Sequence, residues 1–146
     1  MILRNAGNIE PIEIKEITFK GVKYPVTNVT ARWLVHKDLG GEEYVHNHAL
    51  RHFTIGPSSE IPLHQHKFVE IIYILGGKLI STDIDKEGKR QDIEVGPGDC
   101  LYHYSDEVHG FKNPSDTEPA TLLCCIDCIG DKGNCIPTSR PRVTEQ

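Results

Sequence analysis

The chain has 146 residues, 38% apolar and 25% charged, with a net charge of −5 at pH 7 and a pI near 5.9. That composition excludes a disordered chain and predicts one domain large enough to bury its own core. An acidic balance without a basic face argues against nucleic acid as a partner, and the charge pattern favours no membrane surface.

No apolar run reaches the roughly 18 residues of a spanning helix. The opening MILRNAGNIEPIEIKE lacks the apolar h-region of a signal peptide, so the expected location is cytoplasmic. Residues 1–44 are expected to supply N-terminal strands, 45–127 a core barrel and 128–146 a C-terminal arm, together one domain.

In chain order, IEIKEITF (12–19) alternates at first, and GVKYPVTNVTARWLV (21–35) is rich in β-branched and aromatic residues. RHFTIG, EIIYIL, KLISTDI, QDIEV, CLYHY and TLLCCI follow as short β runs at regular spacing, the pattern of an all-β sandwich or barrel. Turn signals separate them: GPSS at 56–59, GG at 76–77, DKEGKR at 85–90, GPGD at 96–99 and NPSD at 113–116. IDKEGKRQDI reads as a hairpin with Gly88 at its tip. No stretch carries helical periodicity, and KGNCIPTSRPRVTEQ is expected to be a surface arm.

Two His-x-His pairs stand out. HNHALRH offers His46, His48 and His52; HQHKFVE offers His64, His66 and Glu70. In a strand, positions i and i+2 share a face, so His64 and His66 would present two imidazoles side by side. A reversal at Lys67 and Phe68 would bring Glu70 beside them at the start of EIIYIL, where a carboxylate is costly unless paired or metal-bound. Two neutral nitrogens and one anionic oxygen suit Fe(II), Mn(II), Ni(II), Co(II) or Zn(II). VGPGDCLYHYSDEVHGFKN (95–113) offers a fourth ligand, His109, after a tight turn at Ser105–Glu107.

These residues carry a resemblance. His64, His66 and Glu70 as HxHxxxE, then Pro97, Gly98, Asp99, Tyr102, His109 and Asn113 as PGDxxYxxxxxxHxxxN, resemble the two motifs of the cupin superfamily, in particular its small single-domain members. Gly77 also falls at the expected place. The resemblance covers roughly residues 45–127. It implies an all-β jelly-roll barrel with one divalent transition metal held by His64, His66, Glu70 and His109. It also implies a homodimer, with an N-terminal strand from residues 12–35 packed on the neighbour's sheet. The sequence departs from the pattern where Gly56 lies farther ahead of His64 than the family's glycine. His103 and Tyr104 replace residues that are usually apolar and proline; both are expected near the pocket mouth.

The first pair lacks such context. HNH follows the turn-rich KDLGGEEYV, no carboxylate stands at the position matching Glu70, and a solvated pair is expected. His52 lies within the strand ALRHFTI. Either Leu50, His52 and Thr54 face inward, or Arg51, Phe53 and Ile55 do; the first alternative would make His52 a pocket residue. Cys124, Cys125, Cys128 and Cys135 cluster near the C-terminus. Cys124 and Cys125 alternate along the last strand, so ordinary thiols are expected over a second metal site or a Cys128–Cys135 redox pair.

A three-His, one-Glu cupin metal would leave positions open for a substrate or O2. The resemblance therefore implies a metal-dependent enzyme, first of the dioxygenase type. The alternatives are a Lewis-acid isomerase, epimerase or lyase on a carbohydrate-like substrate, or a non-enzymatic ligand- or metal-sensing module. Tyr73, Tyr102, His103 and Tyr104 are candidate pocket groups. Arg51 and Lys67 are the basic residues nearest the motifs, too few to clamp a phosphate. A small neutral or aromatic organic substrate is the expectation.

Overall fold

The computed structural model describes residues 6–35 and 48–127. Among the described residues, twelve strands follow a 3-10 turn at Ala6–Asn8: β1 (Ile12–Glu13), β2 (Glu16–Phe19), β3 (Val22–Pro25), β4 (Val29–Val35), β5 (His48–Ile55), β6 (Glu60–His64), β7 (Glu70–Gly76), β8 (Leu79–Ile84), β9 (Arg90–Val95), β10 (Cys100–His103), β11 (Val108–Lys112) and β12 (Ala120–Asp127). All pairings are antiparallel. They build a six-stranded sheet in the order β1-β4-β5-β12-β7-β10, a four-stranded sheet β6-β11-β8-β9, and the separate hairpin β2-β3. This is the jelly-roll barrel the sequence implied. Among the described residues, no helix is long and apolar enough to cross a membrane.

Period-2 patterning explains the packing. Along β12, Ala120, Leu122, Cys124 and Ile126 are buried, while the residues between them are not. Along β7, Glu70, Ile72 and Ile74 turn inward, and Ile71, Tyr73 and Leu75 stay exposed. The inner faces meet over Val29, Phe53, Ile55, Ile61, Leu79, Phe111 and Leu122, one continuous apolar core. Outside β9 the pattern is polar instead, with Arg90 paired to Asp92 and Lys78 to Glu94.

Two segments differ in detail from the sequence reading. IEIKEITF is two strands rather than one: Ile14 leaves β1 to bond Val29, and Lys15 accepts from Val26. EIPLH, not among the β runs read from the sequence, forms β6, where Glu60 and Ile61 pair with Lys112 and Phe111. The proline inside it hid the strand, and the edge position of β6 tolerates that proline.

The turns behave as their residues dictate. Gly88 (φ 82°) closes the β8–β9 hairpin, with Asp85 accepting from the amides of Glu87 and Lys89. Gly77 (φ 73°) sits so close to Ala120 that an added Cβ would lie 2.9 Å from its Cα. Asn113 is buried and donates through Nδ2 to the carbonyls of Ile55, Gly56 and Glu118, while its own amide bonds Ser59. It ties the β5–β6 connection to the β11–β12 connection.

Candidate metal centre

The four-stranded sheet supplies two histidines directly opposite each other. His64 ends β6 and His109 lies on β11, and they are register partners, with Ile61 and Phe111 forming the next inward pair. Ile61 and His64 are an odd number of residues apart, so strict alternation would point them to opposite faces. A β-bulge between His109 and Phe111 absorbs the extra residue and lets both line the interior. His66 lies beyond the end of β6, not within a strand as the i, i+2 argument assumed. Its place is set by local contacts: the ring stacks on Phe68 at 3.8 Å, and Nδ1 bonds the Phe68 carbonyl at 2.9 Å. The loop is stapled to the β10–β11 turn, where Asp106 N bonds His66 O and Ser105 Oγ bonds Lys67 O.

His64, His66 and His109 converge, each with a ligand atom within 4.8 Å of the others. Every Nδ1 is tied to a nearby carbonyl: His64 to Pro62 (2.8 Å), His66 to Phe68 (2.9 Å) and His109 to Glu107 (3.0 Å). Donation from Nδ1 fixes the tautomer, so in the neutral rings the lone pairs lie on the three Nε2 atoms. His66 Nε2 is buried with no hydrogen-bond partner among the described residues. Three pre-aimed imidazoles, one with an orphaned nitrogen, fit a borderline divalent ion.

Glu70, the first residue of β7, is buried and stands beside this trio. Its Oε2 lies 3.0 Å from His109 Nε2 and 3.4 Å from His66 Nε2. Its Oε1 faces elsewhere: Arg51 Nη2 is 2.8 Å away and Cys124 Sγ 2.7 Å away. Burial opposes ionisation, but the closeness of the His109 and His66 rings and the charge of Arg51 hold Glu70 well below the usual carboxylate range. His109 is raised: burial would lower it, but its bond to Glu70 and the attraction of that carboxylate prevail. His64 is pushed down to about 4 by burial and the neighbouring charge of His109.

Arg51 resolves the alternation left open on β5. Arg51, Phe53 and Ile55 face the interior, and His52 lies on the opposite face, opposite Arg32 and Leu123. Of the two alternatives, the second holds, and His52 lies on the outer face. Tyr73, Tyr102 and Tyr104, the candidate pocket tyrosines, are 44%, 52% and 67% exposed. Only His103 of the four lies inside: it is register partner to Glu70 and stacks on His109 at 4.2 Å. His48 is exposed, while His46, Cys128, Cys135 and the C-terminal arm lie outside the described residues. Cys124 and Cys125 do face opposite sides. The role of Cys124 beside Glu70 was missed, because nothing local in TLLCCI shows which neighbour a cysteine meets across the sheet.

A cavity of about 350 Å³ opens on the site. Its walls are Phe53, Ile61, Phe68, Ile72, Phe111 and Leu122, with His64, His66, Glu70 and Arg51 forming one region. Ile14, Glu16, Ile17 and Thr18 close over it from the N-terminal strands. The tyrosines are not among its lining residues.

No curated protein matches the chain. Among solved structures it is similar to the polyketide cyclase RemF from Streptomyces resistomycificus (22% identity, TM-score 0.70, covering 88% of this chain and 80% of that one). It is also similar to a predicted oxalate decarboxylase of Thermotoga maritima (24% identity, TM-score 0.63, covering 86% and 98%). A third likeness is the Bacillus subtilis oxalate decarboxylase OxdC, a protein with Mn(II) centres (22%, 0.63, covering 87% of this chain and 30% of that one). At these identities the likeness establishes the barrel and not the chemistry. The model of the cupin domain matches residues 51–126, the stretch from Arg51 on β5 through the three histidines to Ile126 on β12, and on that match the chain belongs to the cupin family.

Proposed function

We propose that His64, His66 and His109, with Glu70 beside them, hold one divalent transition ion, and that the protein is a metal-dependent enzyme acting on a small, mainly apolar organic molecule. The observation that carries this is the convergence of three Nδ1-anchored imidazoles, two of which, His64 and His66, line the cavity. A bound Fe, Mn, Ni, Co or Zn ion would supply Lewis acidity toward a substrate oxygen or, if redox-active, electrons for O2 chemistry. The chain's own residues do the rest. The aromatic and aliphatic walls exclude water and orient an apolar body. Glu70 keeps a negative charge beside the imidazoles. Arg51, the cation lining the cavity, is already paired with Glu70 and Cys124, which disfavours a small dianion as substrate and supports a neutral one.

An oxygen-using reaction is the first to test. A non-redox isomerase, epimerase or lyase reaction is second, supported by the Lewis acidity that a non-redox ion on the same ligands would supply. The protein loaded with Fe(II) or Mn(II) is given a panel of aromatic diols, diketones and hydroxy-carbonyl compounds while O2 is followed by electrode. Consumption matched to product supports the first reaction. Turnover that persists without O2 replaces it with the second. Ligand binding that survives Glu70→Ala, with no turnover under any metal, would make the protein a sensing module instead.

A further inference from the structure

The two oxygens of Glu70 do different things. Oε2 faces His109 and His66, whereas Oε1 is held by Arg51 Nη2 at 2.8 Å and Cys124 Sγ at 2.7 Å. Arg51 Nη2 also reaches Cys124 Sγ at 2.6 Å, so guanidinium, thiol and carboxylate form a closed triangle inside the barrel. Strand register makes the triangle. Arg51 and Cys124 are directly opposite across β5 and β12, and Glu70 is diagonal to Cys124 because its own partner on β12 is Ile126.

Each corner is fixed. The guanidinium lies over Trp33 at 5.5 Å and Phe53 at 5.0 Å, and its side chain is only 13% exposed. Cys124 is fully buried, and a thiol there can donate to Oε1 while accepting from Arg51. Turning Glu70 so that both oxygens faced the imidazoles would break both contacts and leave a buried guanidinium without its counter-charge. That loss is large, because a buried charge is tolerated only when paired.

We infer that Arg51 and Cys124 are positioning residues that withhold Oε1 of Glu70, so that the centre receives a single carboxylate oxygen and the opposite side stays open to the cavity. The inference rests on the metal reading above.

The test uses Zn(II) and Co(II) with the full chain. Difference infrared spectra, metal-loaded minus metal-free, report the splitting of the Glu70 carboxylate bands, with Glu70→Gln identifying them. The expected result is the wide splitting of one-oxygen ligation in the wild type and in Cys124→Ser, whose hydroxyl also donates and accepts. Cys124→Ala is expected to narrow the splitting, change the Co(II) absorption bands and weaken Zn(II) binding about tenfold, as for other groups that orient a ligand. If Cys124→Ala fails to fold, Arg51→Lys takes its place, since the lysine side chain is one bond shorter and does not carry its nitrogen to the place from which Nη2 makes both contacts. Wild-type protein that takes up no metal refutes the metal reading and this inference with it. Wild-type uptake with unchanged splitting and affinity in Cys124→Ala or Arg51→Lys overturns this inference alone, as does a narrow splitting in the wild type.

Discussion

His103 lies flat against His109, with ring centroids 4.2 Å apart and planes 17° from parallel. The two come from different sheets, His103 from β10 of the six-stranded sheet and His109 from β11 of the four-stranded one. The stack therefore fixes the distance between the sheets where the site is built. His103 also approaches Asp83 (3.4 Å) and Glu107 (3.7 Å) through Nδ1. His103→Ala should remove the spacer and open a cavity against His109, costing about 2–4 kcal/mol. His103→Phe should keep the stack and most of the stability. Urea denaturation of the metal-free variants distinguishes the two; equal losses would show that the ring is not the spacer.

Acid should destabilise the metal-free protein in a defined window. His64 and His103 are both held near 4, first by burial and then by the charge of His109, against an ordinary value of 6.5. Between these values the unfolded chain binds protons that the folded chain refuses, so stability is lost as pH falls from about 6.5 to about 4. His109 works the other way: its raised value adds stability in acid that is lost as pH rises through it. That gain accrues above 6.5, outside the window, so the two lowered histidines leave a net loss of about 2 kcal/mol or more across it. Glu70 adds a further loss once the pH drops below its unfolded value near 4.5. Thermal melts at pH 7 and pH 5 measure this; a melting point that rises on acidification would contradict it.

Single removals should separate the two histidine clusters. His64→Ala, His66→Ala and His109→Ala are each expected to weaken Zn(II) or Co(II) binding by more than about a hundredfold, beyond the effect of losing an orienting neighbour. His52→Ala should leave it within about twofold, because that ring sits on the far face of β5. Tyr73→Phe and Tyr102→Phe, on exposed faces, should match it. Isothermal titration calorimetry reads all six, and metal loss in His52→Ala would place the ion elsewhere.

Asn113 is a stability residue whose hydrogen bonds all go to the connections between strands. Its amide nitrogen faces three carbonyls, and its Oδ1 accepts from the Ser115 amide. Asn113→Asp replaces the donor with a buried anion among those carbonyls, and a cost of about 3 kcal/mol or more is expected. Asn113→Ala should cost less, because it leaves the carbonyls unpaired without adding charge. Chemical denaturation checks the order; an equal or milder effect for the aspartate would mean the site is wetter than its burial indicates.

Much of this was legible in the residues themselves. Alternation in TLLCCI and EIIYIL, turn residues at 76–77, 85–90 and 96–99, and the spacing around His64, His66 and His109 are local features, and they determined the barrel and the grouping of the histidines. Local pattern could not choose which alternate residues of β5 face inward, since Leu50, His52 and Thr54 read as well as Arg51, Phe53 and Ile55. Only pairing across the sheet decided it, by setting Arg51 opposite Cys124. The same limit misplaced the tyrosines: EIIYIL and CLYHY carry bulky residues on both faces, and burial belongs to the face that meets the other sheet. What the tertiary structure alone decided is the environment of Glu70. A carboxylate's partners come from strands far apart in the chain, and their register is a property of the closed barrel rather than of any segment.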